Sequence, residues 1–314
     1  MTNMTPWRPT LAALASALLL VACGGGGGTA STTASQNNTP ALTEPGAPTL
    51  SGNIATDGRV WINYRRGQIG MPVLTRNALI DTAAQGHSDY QKVNNTVTHE
   101  QTPGLPGFTG VRTQDRLLAA RYVFGGGGYA GEVISATSSS SGFFMAEELI
   151  TAIYHRFAIF EPKFAEIGTG AATTSANYTY FTADFAAADS STPGLGRGKL
   201  VYWPYNNQTL VPLNFFSNNE TPDPVDNANE VGYPISVHAD ITSTMTVTSF
   251  TVTQRGGSQL SSKLLSPSGD EHTPRSAAAI IPLAVLKSGT TYDVNFKGTV
   301  DAVAVERSWS FTTK

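Results

Sequence analysis

A single cysteine, Cys23, serves a chain of 314 residues, so no intramolecular disulfide can brace the fold. Stability has to come from buried apolar surface, and that demands size. Setting aside an N-terminal leader and tether leaves roughly 265 residues, enough for two domains of ordinary dimensions. The formal net charge is −3, which supplies no basic footprint and argues against a nucleic-acid partner. Charged residues are few and Gly, Ser, Thr and Asn are many, as suits a secreted protein rich in loops and strands.

Cys23 closes an apolar run from Leu11 to Val21, preceded by Arg8 and by no acidic residue. The run is shorter than the ~20 residues a bilayer core requires but fits the apolar stretch of a secretory signal peptide. Leu20-Val21-Ala22-Cys23 resembles the lipobox of bacterial lipoproteins. The resemblance implies a signal peptide over residues 1–23 and a membrane partner reached through lipid on the Cys23 thiol. A plain secretory signal with an incidental cysteine is the blander alternative. Residues 24–50, which open on Gly24 to Gly28, have the composition of a flexible tether. Gly24 stands where enterobacterial lipoproteins carry an acidic retention signal, so by that analogy the outer membrane is the expected location.

From Ile54 to about Tyr90 the spacing is helical. Val60 and Tyr64 share one stripe; Leu79 or Ile80, Ala83, His87 and Tyr90 form a second, and Gly67 to Pro72 breaks the two. A third helix is expected from Thr113, with Asp115 in its first turn, and a fourth from about Phe144 to Phe157, ending before Pro162. Ile167 to Ala171 and Tyr178 to Phe185 read as strands. Helices with a short antiparallel sheet predict an α+β layer architecture.

Four segments in this stretch carry a family resemblance. Asn77-Ala78-Leu79 through His87-Ser88-Asp89-Tyr90, Thr98-His99-Glu100, Gly131-Glu132-Val133-Ile134, and Tyr154-His155-Arg156 with Phe160-Glu161-Pro162 and Ile167-Gly168 follow one another in order. Together they resemble the CAP superfamily (cysteine-rich secretory proteins, antigen 5 and pathogenesis-related 1), whose α-β-α sandwich is then expected over residues 51–188. The resemblance implies a cleft lined by two histidines and two acids, in some members with a divalent metal. It carries over to His99, Glu132 and His155. Ala152 stands where the second acid would lie, Glu147 and Glu148 match poorly, and His87 is the candidate to fill the gap. Zinc is the favoured metal, held by His99 and His155 with His87 and Glu132 as further candidates. His87 could equally be a core histidine bonded to a backbone carbonyl, and Glu132 a structural acid receiving N–H bonds. Read as a functional acid, Glu132 should tolerate replacement by Gln with the fold nearly intact. Glu100 and Glu161 read as surface acids.

Absent motifs narrow the chemistry. No Gly-x-Ser-x-Gly elbow supports a serine hydrolase, and His99-Glu100 lacks the second histidine of a zinc-protease helix. Gly125 to Gly128 has neither the flanking strand nor the Lys and Ser/Thr of a phosphate loop, so no nucleotide cofactor is expected.

Residues 189–234, rich in Pro, Asn and Asp, read as an ordered connector. Lys199 to Tyr205 reads as a strand, of the connector or of the next domain. From Ile235 to Lys314 the period changes to two: Met245 to Gln254, Ile280 to Pro282, Tyr292 to Val300 and Val303 to Thr312 alternate between turns at Gly257, Gly269, Gly289 and Asp301. Leu286 to Tyr292 and Trp309 to Thr313 resemble bacterial Ig-like modules, so a small all-β Ig-like sandwich is expected over 235–314, able to fold alone, with Tyr292 as a tyrosine corner. His238 and His272 read as incidental surface residues.

The expectation is an exported, lipid-anchored envelope protein whose His/Glu cleft binds a divalent metal or small ligand, with the Ig-like module as spacer or as an adhesive arm for a cell-surface partner. A metal-assisted hydrolase with Glu132 as catalytic base is the second reading, and a structural envelope protein with a vestigial cleft the third.

Overall fold

The computed structural model describes residues 44–314; Cys23, the signal segment and the tether as far as residue 43 lie outside the described residues. The last tether residues are docked rather than loose. Glu44 grips Arg65 through two hydrogen bonds, 2.5 and 2.9 Å, and Pro45 accepts from the Tyr64 hydroxyl at 3.1 Å.

The first helix, α1 (Ile54–Gln68), starts where the Asn53 side chain accepts the Thr56 N–H, and carries Asp57 in its first turn and Arg65 and Arg66 in its last, complementing the helix dipole. A two-residue strand, β1 (Thr75–Arg76), leads to α2 (Ala78–Asn94), which ends at the left-handed Asn95. Next comes α3 (Thr113–Ala119), where Asp115 accepts the Arg112 N–H at 3.0 Å. Strand β2 (Tyr129–Thr137) directly follows the glycine run at 125–128, whereas the strand of a phosphate loop precedes its glycines.

The helix expected over 144–157 is two helices, α4 (Gly142–Thr151) and α5 (Ile153–Ile159), parted by Ala152 at ψ 122°. The break is held from both sides. Arg156 donates to the carbonyls of Ile150 (2.5 Å) and Thr151 (3.3 Å). Glu220, far along the chain, accepts the N–H groups of Ile153, Tyr154 and His155. A non-local cap of this kind satisfies donors that a helix start leaves open.

Strands β3 (Glu166–Thr173) and β4 (Thr179–Ala187) complete a sheet of order β1-β3-β4-β2. All nine residues of β4 are buried, because both faces of the sheet are covered, as an α-β-α sandwich requires. Parity sorts the faces. Phe181, Ala183, Phe185 and Ala187 pack with Trp61 and Ile62 of α1 and Phe143 and Met145 of α4. The opposite face sets Ala186 against Ile80 and Ala83 of α2 and Leu117 of α3. Helix α2 lies close on β3 because Gly168 and Gly170 leave room: a Cβ at either would meet α2 backbone at 2.1 and 2.3 Å. Side chains of α2 then take the place of a neighbouring strand. Asp81 accepts the Thr169 N–H at 2.8 Å, and Gln85 bonds both polar groups of Ala171 at 3.1 Å.

The C-terminal half is sheet-rich. It comprises β5 (Val201–Trp203), β6 (Gln208–Val211), β7 (Asn214–Phe216), β8 (Glu230–Gly232), β9 (Ile235–His238), β10 (Met245–Gln254), β11 (Ser262–Leu265), β12 (Ala277–Pro282), β13 (Thr291–Val300) and β14 (Val303–Thr313). Two four-stranded sheets, β10-β13-β14-β6 and β11-β12-β9-β5, share one core, and β7 pairs with β8. Both larger sheets therefore reach back into the stretch read as connector. The β13–β14 turn uses Asp301 and Ala302, both at positive φ, as a two-residue hairpin demands. The Tyr292 hydroxyl accepts the Lys287 N–H at 2.8 Å.

The two halves are not separated by a linker. One apolar cluster runs from Trp61 and Phe160 through Trp203 to Val237 and Phe311. The fully buried Arg156 also donates to Pro234 O (2.6 Å) and Ser236 Oγ (3.3 Å). Glu161 accepts the Ile241 N–H at 3.1 Å. It is buried, not a surface acid, and burial raises its carboxyl to about 7. His238 is likewise buried, against Phe157 and Phe160, with its pKa pushed well below the ordinary value by burial. His272 is half-buried and edge-on to Tyr154.

Candidate functional site

A buried polar cluster lies on the sheet face covered by α2 and α3. Glu132 of β2 is its centre. One carboxylate oxygen accepts from His99 Nδ1 at 2.8 Å, and the other is bonded to the Arg116 guanidinium. Arg116, on α3 and fully buried, also donates to the carbonyls of His99 (2.9 Å) and Val111 (3.1 Å) and to Thr113 Oγ1 (3.1 Å). The loop carrying His99 is thereby tied to the same guanidinium that holds Glu132. Burial alone would raise the Glu132 carboxyl; the Arg116 charge, helped by the His87 and His99 imidazoles, outweighs it and holds the group well below the usual carboxylate range.

His87, on α2, is fully buried, with Nε2 3.8 Å from Glu132. Nε2 bonds the Thr98 carbonyl at 2.7 Å, so it carries the proton, and Nδ1 accepts from Gln101 Nε2 at 2.9 Å. Burial lowers its pKa to about 4. Gln101 in turn accepts the Thr109 N–H at 2.7 Å. Both ring nitrogens are spent on holding the loop, as in a core histidine.

Asp184 of β4 stands directly across from Glu132 in the β2–β4 register and is fully buried. Among the described residues neither of its carboxylate oxygens has a hydrogen-bond partner. Burial, then the Glu132 charge, push its pKa well above the ordinary value. Sequence reasoning missed both Asp184 and Arg116. The available signal was a lone acid flanked by Ala183 and Phe185 in a strand buried on both faces.

His155 stands apart from this group. Its helix packs in the layer on the other face of the sheet, and its Nδ1 bonds Glu220 at 2.9 Å. Glu147 is engaged elsewhere, by Trp61 Nε1 (2.6 Å) and Arg65 Nε (2.8 Å); Glu100 is exposed. The structure thus brings His87, His99 and Glu132 together with Arg116, Gln101 and Asp184, and pairs His155 with Glu220.

The donor set does not fit a resident divalent ion as arranged. Among the described residues no group of three or more His, Cys, Asp or Glu side chains could hold one. Glu132 already has a guanidinium on one oxygen and an imidazole on the other, and a metal would have to displace a cation from a buried carboxylate. Of these histidines His99 is the most exposed, its side chain retaining 14% of its surface against 8% for His155.

Residues 61–185 match the family model described as CAP, the cysteine-rich secretory protein family, and that span is a CAP domain. Similar solved structures include an extracellular protein containing an SCP domain from Bacillus anthracis (24% identity, TM-score 0.36, covering 42% of this chain and 39% of that one). An outer surface protein of Borrelia burgdorferi (16%, TM-score 0.35) covers 42% of this chain and 90% of its own. Schistosoma mansoni venom allergen-like protein 4 (14%, TM-score 0.30) covers 45% and 92%. The chain spans well under half the length of the B. anthracis protein. No curated protein matches it.

Proposed function

We propose that this chain is an exported protein anchored to the bacterial envelope, at the outer membrane, by lipid on Cys23, and that its CAP domain presents His99 as the recognition group of a small-ligand cleft. The sheet-rich half, of Ig-like type, acts as a spacer that is part of the same rigid body. Cys23 at the end of the Leu11–Val21 run supports the anchor, and none of the described helices is long and apolar enough to cross a membrane.

The observation that carries the cleft reading is the His99–Glu132–Arg116 chain. Glu132 spends both oxygens and stays ionised, so it orients the imidazole instead of taking a proton. That favours binding over the metal-assisted hydrolase, whose base must reach a bound water at about 3 Å. A ligand that binds only the folded state raises the melting temperature by mass action. Thermal-shift screening of a diverse small-molecule panel, with His99→Ala as control, tests the reading. Compounds should stabilise the wild type alone; a panel that stabilises neither protein, or both equally, leaves only a structural envelope role. Zinc titration calorimetry on the same pair should give no heat, and heat lost in His99→Ala would restore the metal. For the anchor, a fatty-acid analogue should label the wild type and not Cys23→Ser.

A further inference from the structure

Glu220 lies outside the CAP span of residues 61–185, at the end of the short 3-10 helix Ser217–Asn219 between β7 and β8. That turn is fixed locally: Ser217 N–H reaches Asn229 O at 2.8 Å and its hydroxyl reaches Ala228 O at 2.7 Å. From there the Glu220 carboxylate enters the CAP domain, 1% exposed, and meets four donors. Oε2 accepts Ile153 N–H at 2.9 Å. Oε1 accepts the N–H groups of Tyr154 (2.8 Å) and His155 (3.2 Å) and the His155 ring at 2.9 Å.

We propose that Glu220 is a positioning residue for His155: it fixes the Nδ1–H tautomer and so leaves Nε2 as the acceptor nitrogen, suited to a hydroxyl or a protonated amine of a small molecule that reaches this side of the sheet. Oε1 already receives two backbone donors, so it acts as an acceptor and the ring nitrogen facing it must donate. In a neutral imidazole the other nitrogen is then the acceptor. Nε2 makes no hydrogen bond among the described residues, and the ring keeps 8% of its surface exposed. Among the described residues the Glu220 carboxylate bonds only to this helix start, and Ala152, between α4 and α5, offers no side chain to do the same work. His155 is therefore set by the C-terminal half, and a CAP domain cut at residue 188 would lose that setting.

The inference concerns His155 apart from the His99 cluster, and its test needs no ligand, so a failed ligand screen and a failed tautomer are separate results. Long-range proton–nitrogen NMR of the histidine rings at pH 8 reads the tautomer directly. In the wild type, His155 should carry its proton on Nδ1, and in Glu220→Ala it should become a mixture with Nε2–H. A wild-type proton on Nε2 overturns the proposal, and so does a folded Glu220→Ala protein with an unchanged tautomer. Should Glu220→Ala fail to fold, the wild-type spectrum decides alone.

Discussion

Glu132 and Asp184 face each other across β2 and β4 in register, both buried, with one guanidinium, Arg116, bonded to Glu132. Two carboxyls and one cation cannot all be charged cheaply in a water-poor interior. Glu132 keeps the charge and Asp184 keeps a proton.

Glu132→Gln should therefore cost far more than a surface change. The swap preserves shape but leaves Arg116 buried without its counter-charge, and removing one partner of a buried pair costs about 3–5 kcal/mol. Urea unfolding at pH 7 measures it. A loss below about 1 kcal/mol would mean the charge pair is not structural, and would restore the sequence expectation of a tolerated replacement.

Asp184→Asn should behave differently. The folded pKa of Asp184 is raised, so its contribution to stability is present below the unfolded value, near 3.9. It is lost as pH climbs toward the folded value, because the unfolded state ionises first. Asparagine cannot ionise and escapes the loss. The variant should gain on the wild type by up to about 1.4 kcal/mol per pH unit above pH 4. Parallel stability curves at pH 4, 6 and 8 would show that Asp184 is not protonated in the fold.

His87 runs the other way. Its folded pKa is lowered to about 4, so the folded state binds fewer protons than the unfolded state between about 4 and the ordinary value near 6.5. The contribution is full above that window and lost as pH falls through it. The ring resonances of His87 should stay in the neutral position from pH 8 down to about 5. A midpoint near 6.5 would place the ring in a wet, exposed setting.

How far these relationships were legible depended on their range in sequence. Spacing alone found α1, α2 and the start of α3, because Ile80, Ala83, His87 and Tyr90 mark the buried stripe of one helix. It found β10, β13 and β14, where period two survives in Met245 to Gln254 and beyond. It could not find the break at Ala152, whose causes are Glu220 and the side chain of Arg156. Nor could it tell that Arg116 is buried, since an arginine on a short helix reads as solvent-facing until Glu132 is placed opposite. Glu161 and His238 looked like surface residues for a related reason: each has partners in the other half, Ile241 N–H for Glu161 and the Phe157 and Phe160 rings for His238.

Gly170→Ala tests the closeness of α2 to β3. A Cβ there would sit 2.3 Å from Gln85 Cα, a backbone atom that cannot swing away. Helix α2 must retreat or the sheet must bend, and overpacking of this kind typically costs about 1–3 kcal/mol. The same shift would weaken the Gln85 bonds to Ala171. Calorimetric melting of the variant should show the loss, and an unchanged midpoint would mean that α2 is not seated as described.

Residues 235–314 should not fold as an independent unit, although their strand pattern suggests it. Excision at 235 removes β5, which pairs with β9 from Val201↔His238 to Trp203↔Ser236, and β6, which pairs with β14. It also strips Trp203 from the shared core and leaves His238 without the Phe157 and Phe160 rings that bury it. The outer strands β9 and β14 would then present unpaired backbone edges, which favour association over monomeric folding. The CAP side suffers too, because the buried Arg156 loses Ser236 Oγ. Circular dichroism of the 235–314 fragment should show no cooperative melt, whereas residues 44–314 should melt in one transition. A cooperative β-sheet melt from the fragment would overturn the shared core and return the boundary to residue 235.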